Sequence, residues 1–233
     1  MLTEAIVLAG GLGSRLRAVV GDLPKPMAPV RGRPFLAYLL DYLEKEGVRA
    51  VVLSIGYRKE AVMAEFGAGR ATLGIQYAIE REFLGTGGGA RLALDQTRGD
   101  SVLVLNGDTY FPVDLDALSR FHAETGADMT LALKPMAQSE RYGTLTIDSG
   151  GRIKTFVEKG AVKNGLISGG IYALKRSLLM RYQLGQAFSL EKDILETLAP
   201  VSDFRGMVFD RYFVDIGIPE DYRRAQTELP DLA

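Results

Sequence analysis

Three short, continuous apolar runs, separated by stretches of helical length, constrain this chain more than any other feature. AIVLA (5–9), AVVLSI (50–55) and SVLVLN (101–106) have strand length and no polar alternation. Strands with that pattern must be buried on both faces. Between them, PFLAYLLDYLEKEG (34–47) reads as a helix, with Pro34 in its first turn, Gly47 at its stop and core aromatic residues through 35–43. Further helices are expected near 59–66 and from about Thr86 to Gln96, with a short strand near IQYAIE (75–80). The order β-α-β-α-β-α-β predicts an α/β fold, a mostly parallel central sheet with helices on both faces and right-handed crossovers.

The last third has a different texture. MTLALKP, YGTLTID, RIKTFVEK and GLISGGIYALK are strand-like and joined by turns such as Asp148-Ser149-Gly150-Gly151. Helical patterns return in SLEKDILETLA (189–199) and PEDYRRAQTEL (219–229), separated by strand-like GMVFD and RYFVDIG. With no repeat or linker between 1 and 233, one domain is expected, its second half decorating the sheet edge.

Composition removes several classes of chemistry. There is no cysteine, which excludes disulfides, thiolate catalysis and Cys-type zinc sites, and the one histidine, His122, cannot build a His-rich metal site. His122 itself reads as a surface or half-buried structural residue, far from every motif. A net charge of −1 without long basic blocks argues against nucleic acid or an anionic membrane as partner. The N-terminus lacks the pattern of a signal peptide, and no apolar stretch reaches the roughly 20 residues that span a bilayer. A cytoplasmic protein is expected.

The candidate functional segments all follow predicted strands, where ligands gather in sheets of this kind. After AIVLA come Gly10, Gly11 and Gly13, then Ser14 and Arg15, and further on Lys25 between Pro24 and Pro26. Bare amides in a glycine turn form an anion cradle, and Arg15 and Lys25 could neutralise a triphosphate there. The same glycines could equally make only a strand-to-helix turn. The P-loop pattern fails for want of Gly-Lys-Ser/Thr. The dinucleotide pattern fails at Leu16 and at the second strand's end, Ser54-Ile55-Gly56-Tyr57, which carries no acid. Asp108 in Asn-Gly-Asp-Thr and Asp215 in Val-Asp-Ile-Gly could share a Mg²⁺, or could be a turn cap and a surface turn. Asp114 and Asp116 read as the cap and first turn of the following helix.

LAGGLGSRL followed by PKPMAPVRGRPFL resembles the N-terminal signature of sugar-1-phosphate nucleotidyltransferases, cytoplasmic enzymes that make nucleoside-diphosphate sugars. The resemblance continues in order through LGTGGG (84–89), LNGDTYF (105–111), FVEK (156–159), SGGIY (168–172) and VDIGIPEDY (214–222). Within that family KPMAPVRGRPFL, EREFLGTGGGARLAL and FVDIGIPEDY are most similar to guanylyltransferases acting on D-glycero-α-D-manno-heptose 1-phosphate. The resemblance implies a single-domain Rossmann-like three-layer sandwich, with a nucleotide-binding half to about 110 and a sugar-phosphate-binding half from about 111. It implies nucleotide contacts at Leu8, Ala9, Gly10, Gly11, Gly13, Ser14, Arg15, Lys25, Leu84, Gly85, Thr86, Gly87, Gly88, Asn106, Gly107 and Asp108, the base lying against backbone of Leu84–Gly88. Sugar-phosphate contacts are implied at Tyr142, Gly143, Glu158, Lys159, Asn164, Gly169, Gly170 and Glu191. Mg²⁺ would be held by Asp108 and Asp215.

The partners implied are a nucleoside triphosphate, GTP by the closer resemblance, and a sugar 1-phosphate; a homo-oligomer stays open. The sugar phosphate would attack the α-phosphorus in line as pyrophosphate leaves, with Arg15 and Lys25 as the catalytic cations. Other members of this fold use mannose 1-phosphate or carry uridylyl, thymidylyl or cytidylyl groups. A non-catalytic nucleotide-sugar-binding module is the reading of a different class, against which the intact set Arg15, Lys25, Asp108, Lys159 and Asp215 speaks.

Overall fold

The computed structural model describes residues 1–11, 16–70, 72–138, 141–157, 163–182 and 184–229. Its first half contains β1 (Glu4–Leu8), α1 (Arg17–Val20), the strand pair β2 (Pro29–Val30) and β3 (Arg33–Pro34), α2 (Phe35–Lys45), β4 (Ala50–Ile55), α3 (Lys59–Phe66), β5 (Gly69–Arg70), β6 (Leu73–Ile79), α4 (Gly85–Leu94) and β7 (Ser101–Asn106). The second half holds β8 (Thr109–Tyr110), α5 (Leu115–Thr125), β9 (Met129–Gln138), β10 (Thr144–Ile147), β11 (Ile153–Val157), β12 (Lys163–Lys175) and α6 (Arg176–Arg181). A π-helix over Leu190–Glu196, β13 (Phe204–Val208), β14 (Val214–Asp215) and α7 (Pro219–Glu228) complete it.

The strands β7, β1, β4 and β6 lie side by side and parallel, as the three apolar runs require. Neighbouring residues of β1 serve opposite cores. Val7 packs with α2 and with Leu53 and Leu105, whereas Ile6 packs with Ala90, Ala93 and Leu94 of α4 and with Val104. Period-two alternation therefore feeds apolar side chains into both faces, and each fully buried Val, Ile or Leu contributes roughly 1.5–3 kcal/mol. The aromatic residues of α2 are core as expected, and Tyr42 donates to the Val113 carbonyl at 2.7 Å.

The second half extends the sheet rather than decorating its edge. β12 runs antiparallel to β7, with Ile171 opposite Leu105, and carries β10, β11 and β9 beyond it. Its pairing with β9 shifts register between Ser168 and Tyr172, where Gly170 has φ +72°. That irregularity brings the SGGIY segment to the edge where the β1 and β7 loops emerge. SLEKDILETLA is helical as expected, in the form of a π-helix over Leu190–Glu196 capped by Ser189, whereas RYFVDIG keeps only Val214–Asp215 as strand. Asp114 caps α5 as expected, accepting from the Ala117 amide at 2.7 Å, with Asp116 in the first turn.

His122 is wholly buried, not a surface residue. Its Nδ1 lies 2.9 Å from Thr130 Oγ1 and its Nε2 3.2 Å from Ser101 Oγ. Ser101 begins β7 while Asn106 ends it, so His122 belongs to the edge of the sheet remote from the motif loops. Among the described residues, no helix is long and apolar enough to cross a membrane.

Candidate active site

Parallel register sets the first three elements of the site. Leu8 ends β1 between Ser54 of β4 and Asn106 of β7, so three loops leave the sheet together. They are laced by backbone: Ala9 N–H to Ser54 O at 2.8 Å and Gly107 N–H to Leu8 O at 2.9 Å. The crowding explains Gly107, whose added Cβ would lie 2.7 Å from the Leu8 carbonyl. The short β14 pairs with β8, setting Asp215 opposite Thr109, and the Ile216 amide donates to Asp108 O at 3.0 Å. Two carboxylates far apart in sequence thus meet at one edge.

Lys25 stands between them. It opens a 3-10 turn, Lys25–Met27, which buried Pro26 and Met27 anchor. Its Nζ hydrogen-bonds Asp108 Oδ2 and lies 3.6 Å from Asp215 Oδ1. Burial, then the neighbouring Asp108 charge, pushes the Asp215 pKa up, and Lys25 opposes both. Gly217 completes the junction: it donates to Asp215 Oδ1 at 2.7 Å, and a Cβ there would come within 3.0 Å of Lys25 Nζ. Two crowded carboxylates of hard oxygen favour a cation beyond Lys25. Mg²⁺, which takes one or two carboxylates and completes its shell with phosphate and water, fits this donor set. Among the described residues, no group of three or more His, Cys, Asp or Glu is arranged as an all-protein metal cage.

Two cavities meet at Lys25, Asn106 and Asp108. The first, about 370 Å³, is walled by Leu8, Ala9, Gly10, Gly11, Gly85 and Thr86, together with Glu80 and Phe83. The second, about 400 Å³, is walled by Arg141, Tyr142, Gly143, Gly170, Glu191 and Asp215 among others. Asn106 Oδ1, at their junction, is buried and without a hydrogen-bond partner among the described residues. An orphaned acceptor there suits a ligand hydroxyl. On the second cavity's wall Arg141 pairs with Asp221 at 2.7 Å and donates to the Tyr142 hydroxyl at 3.0 Å. Burial, and after it the Asp215 charge, raises the Tyr142 pKa to about 12.

Several expected contacts fall elsewhere. The amides of Gly87 and Gly88 are spent on the Phe188 carbonyl, at 2.9 and 3.2 Å. Side chains at those positions would strike the Phe188 ring at 2.2 Å and the Gln186 carbonyl at 2.4 Å. The Leu84 carbonyl likewise accepts from the Phe188 amide, so only Gly85 and Thr86 of this run wall the first cavity. The space a Gly169 side chain would need is filled by the Phe111 ring at 2.2 Å, so that glycine serves packing while Gly170 faces the second cavity. Glu191 is already engaged, accepting from Thr86 Oγ1 at 2.8 Å, Tyr172 OH at 2.8 Å and Ser189 Oγ at 2.9 Å. It ties the two cavity walls together while staying on the wall of the second. Gly13, Ser14, Arg15, Glu158, Lys159 and the side chain of Asn164 lie outside the described residues.

Glu80 was not among the expected contacts. Its carboxylate accepts from Ser54 Oγ at 2.7 Å and the Leu84 amide at 3.3 Å, and it fills the space that a Gly10 side chain would need, 2.3 Å away. The available signal was its place immediately after β6, at the carboxyl edge shared by the other loops.

Residues 4–231 match the family model for nucleotidyl transferases. The chain is 48% identical over 227 residues to the D-glycero-alpha-D-manno-heptose 1-phosphate guanylyltransferase of Aneurinibacillus thermoaerophilus, covering 97% of this chain and 98% of that one. It is 40% identical to the enzyme of the same name from Campylobacter jejuni, over 94% of this chain and 96% of that one. The crystal structure of HddC from Yersinia pseudotuberculosis complexed with GMP-PN superimposes with a TM-score of 0.83 at 35% identity, over 97% of this chain and 98% of the other. Matched over nearly its whole length, the chain belongs to the nucleotidyl transferase family.

Proposed function

We propose that the protein transfers GMP from GTP to D-glycero-α-D-manno-heptose 1-phosphate, releasing pyrophosphate. The observation that carries the reaction class is Lys25, paired with Asp108 and near Asp215, at the junction of two cavities. That is where the α-phosphate of a nucleotide in one cavity and the phosphate of a sugar in the other would meet. The names of the similar guanylyltransferases support the choice of base and sugar.

The attacking sugar phosphate is already ionised and needs no general base, which suits a junction without histidine or cysteine. Lys25 neutralises charge growing at the α-phosphate, while the backbone amides of Gly10 and Gly11, with Arg15, receive the departing phosphates. Asp108 and Asp215 would hold Mg²⁺, which when bound supplies charge neutralisation to the phosphates. Lys159 pins the attacking phosphate and Glu158 holds sugar hydroxyls. Glu80 offers carboxylate oxygens to the N1–H and 2-amino donors of guanine, a pair of donors that no pyrimidine presents in this arrangement. GTP and Mg²⁺ are supplied in the cytoplasm, where we place the reaction.

The test is pyrophosphate release with Mg²⁺, pairing GTP, UTP, dTTP, CTP and ATP in turn with heptose 1-phosphate and mannose 1-phosphate. Release with GTP and the heptose is expected. Strong release with another pairing overturns the substrate, and no release from folded protein that still binds nucleotide overturns the reaction. With ITP, which lacks the 2-amino group, KM should rise in the wild type, and the rise should vanish in Glu80→Gln.

A further inference from the structure

We propose that Phe83 is a base-stacking residue: its ring covers the purine at the mouth of the first cavity. The inference rests on the nucleotide reading of that cavity and adds a residue to which neither the sequence motifs nor the fold assigns a role. Phe83 is 65% exposed, an unusual position for a large apolar ring, and it packs against neither hydrophobic core. Among the described residues it makes no ring–ring or cation–π contact. Its surface instead lines the first cavity with Glu80, Gly10, Gly11 and Gly85, and a smaller adjoining recess with Gly56 and Tyr57.

This exposure belongs to a segment tied at both ends. The Glu80 amide donates to Ile55 O at 2.7 Å, the Leu84 amide to Glu80 Oε2 at 3.3 Å, and the Leu84 carbonyl accepts from Phe188. The ring is thus presented from fixed backbone. Around it, among the described residues, nothing lies within 4 Å of where a Gly11 side chain would begin, and the Glu80 carboxylate sits directly against Gly10. An exposed aromatic face suits a planar heterocycle, and Glu80 on the same wall supplies an acceptor for the edge of a stacked base. Stacking on a single aromatic side chain changes affinity by about tenfold.

The chain has no tryptophan, so Phe83→Trp introduces a single fluorescent reporter. Titration of this variant with GTP should quench its emission saturably, CTP should quench it less, and inorganic tripolyphosphate should leave it unchanged. In parallel, Phe83→Ala should raise KM for GTP about tenfold with kcat and KM for the sugar phosphate preserved, and Phe83→Tyr should restore it. Wild-type KM for GTP in Phe83→Ala, from an enzyme that turns over GTP normally, overturns the role of Phe83 and leaves the proposed reaction standing. If wild-type protein neither binds GTP by calorimetry nor releases pyrophosphate, both fall. If Phe83→Ala changes the sedimentation of the protein and not its KM, the ring belongs to a contact between copies of the chain and the stacking role is overturned.

Discussion

Acidification from pH 7 to pH 4 should cost this protein about 3 kcal/mol through His122 alone. The imidazole is 3% exposed and bonded to Thr130 and Ser101. Burial, and secondarily the Lys175 charge, lowers its pKa from 6.5 to about 4, against a smaller opposing effect of Asp128. Above pH 6.5 the ring is neutral in both folded and unfolded chains. As pH falls below 6.5 the unfolded chain takes up a proton that the folded one refuses, so stability declines until the folded value near 4 is passed. The interval of about 2.5 pKa units, at 1.36 kcal/mol each, sets the total at about 3 kcal/mol, with about 1.4 kcal/mol already lost at pH 5.5. Each kcal/mol lowers Tm by about 2–4 °C in a chain of this size. Guanidinium unfolding of wild type and His122→Gln at pH 7, 5.5 and 4 isolates the effect, because other groups titrate alike in both. The stability difference between the two should shrink by about 3 kcal/mol across that range in the variant's favour. A difference independent of pH refutes the reasoning, and would mean that the imidazole titrates alike in the folded and unfolded chains.

Lys25→Ala should lower kcat by about 10²–10³, the scale of losing one transition-state donor, and near-normal steady-state turnover would remove Lys25 from the chemistry. Asp108→Ala should abolish metal-dependent turnover with an unchanged circular-dichroism spectrum; normal turnover at limiting Mg²⁺ excludes Asp108 from the metal site. Gly169→Ala forces a methyl against the Phe111 ring at 2.2 Å and should destabilise the fold by about 1–3 kcal/mol. Its KM values should hold, whereas a raised KM for the sugar phosphate at unchanged Tm would return Gly169 to the cavity wall.

The sequence by itself determined the sheet and the edge at which chemistry gathers. AIVLA, AVVLSI and SVLVLN could be stable only with both faces covered, and once they run parallel their following loops must emerge together. What it left open is what fills each gap beside a glycine. An absent Cβ reads the same in sequence whether the space holds a ligand, the Phe188 ring at Gly87, the Phe111 ring at Gly169 or the Glu80 carboxylate at Gly10. Glu80 itself was hidden for a related reason: a carboxylate at the end of a strand acquires meaning only from the Ser54 hydroxyl and Leu84 amide that aim it. The position of Lys25 between Asp108 and Asp215, and the hydrogen bond that Thr86 donates to Glu191 across 105 positions, are likewise tertiary facts. Local pattern records which backbone a residue prefers, while the partner of a charge or of an empty volume is chosen only when distant segments close around it.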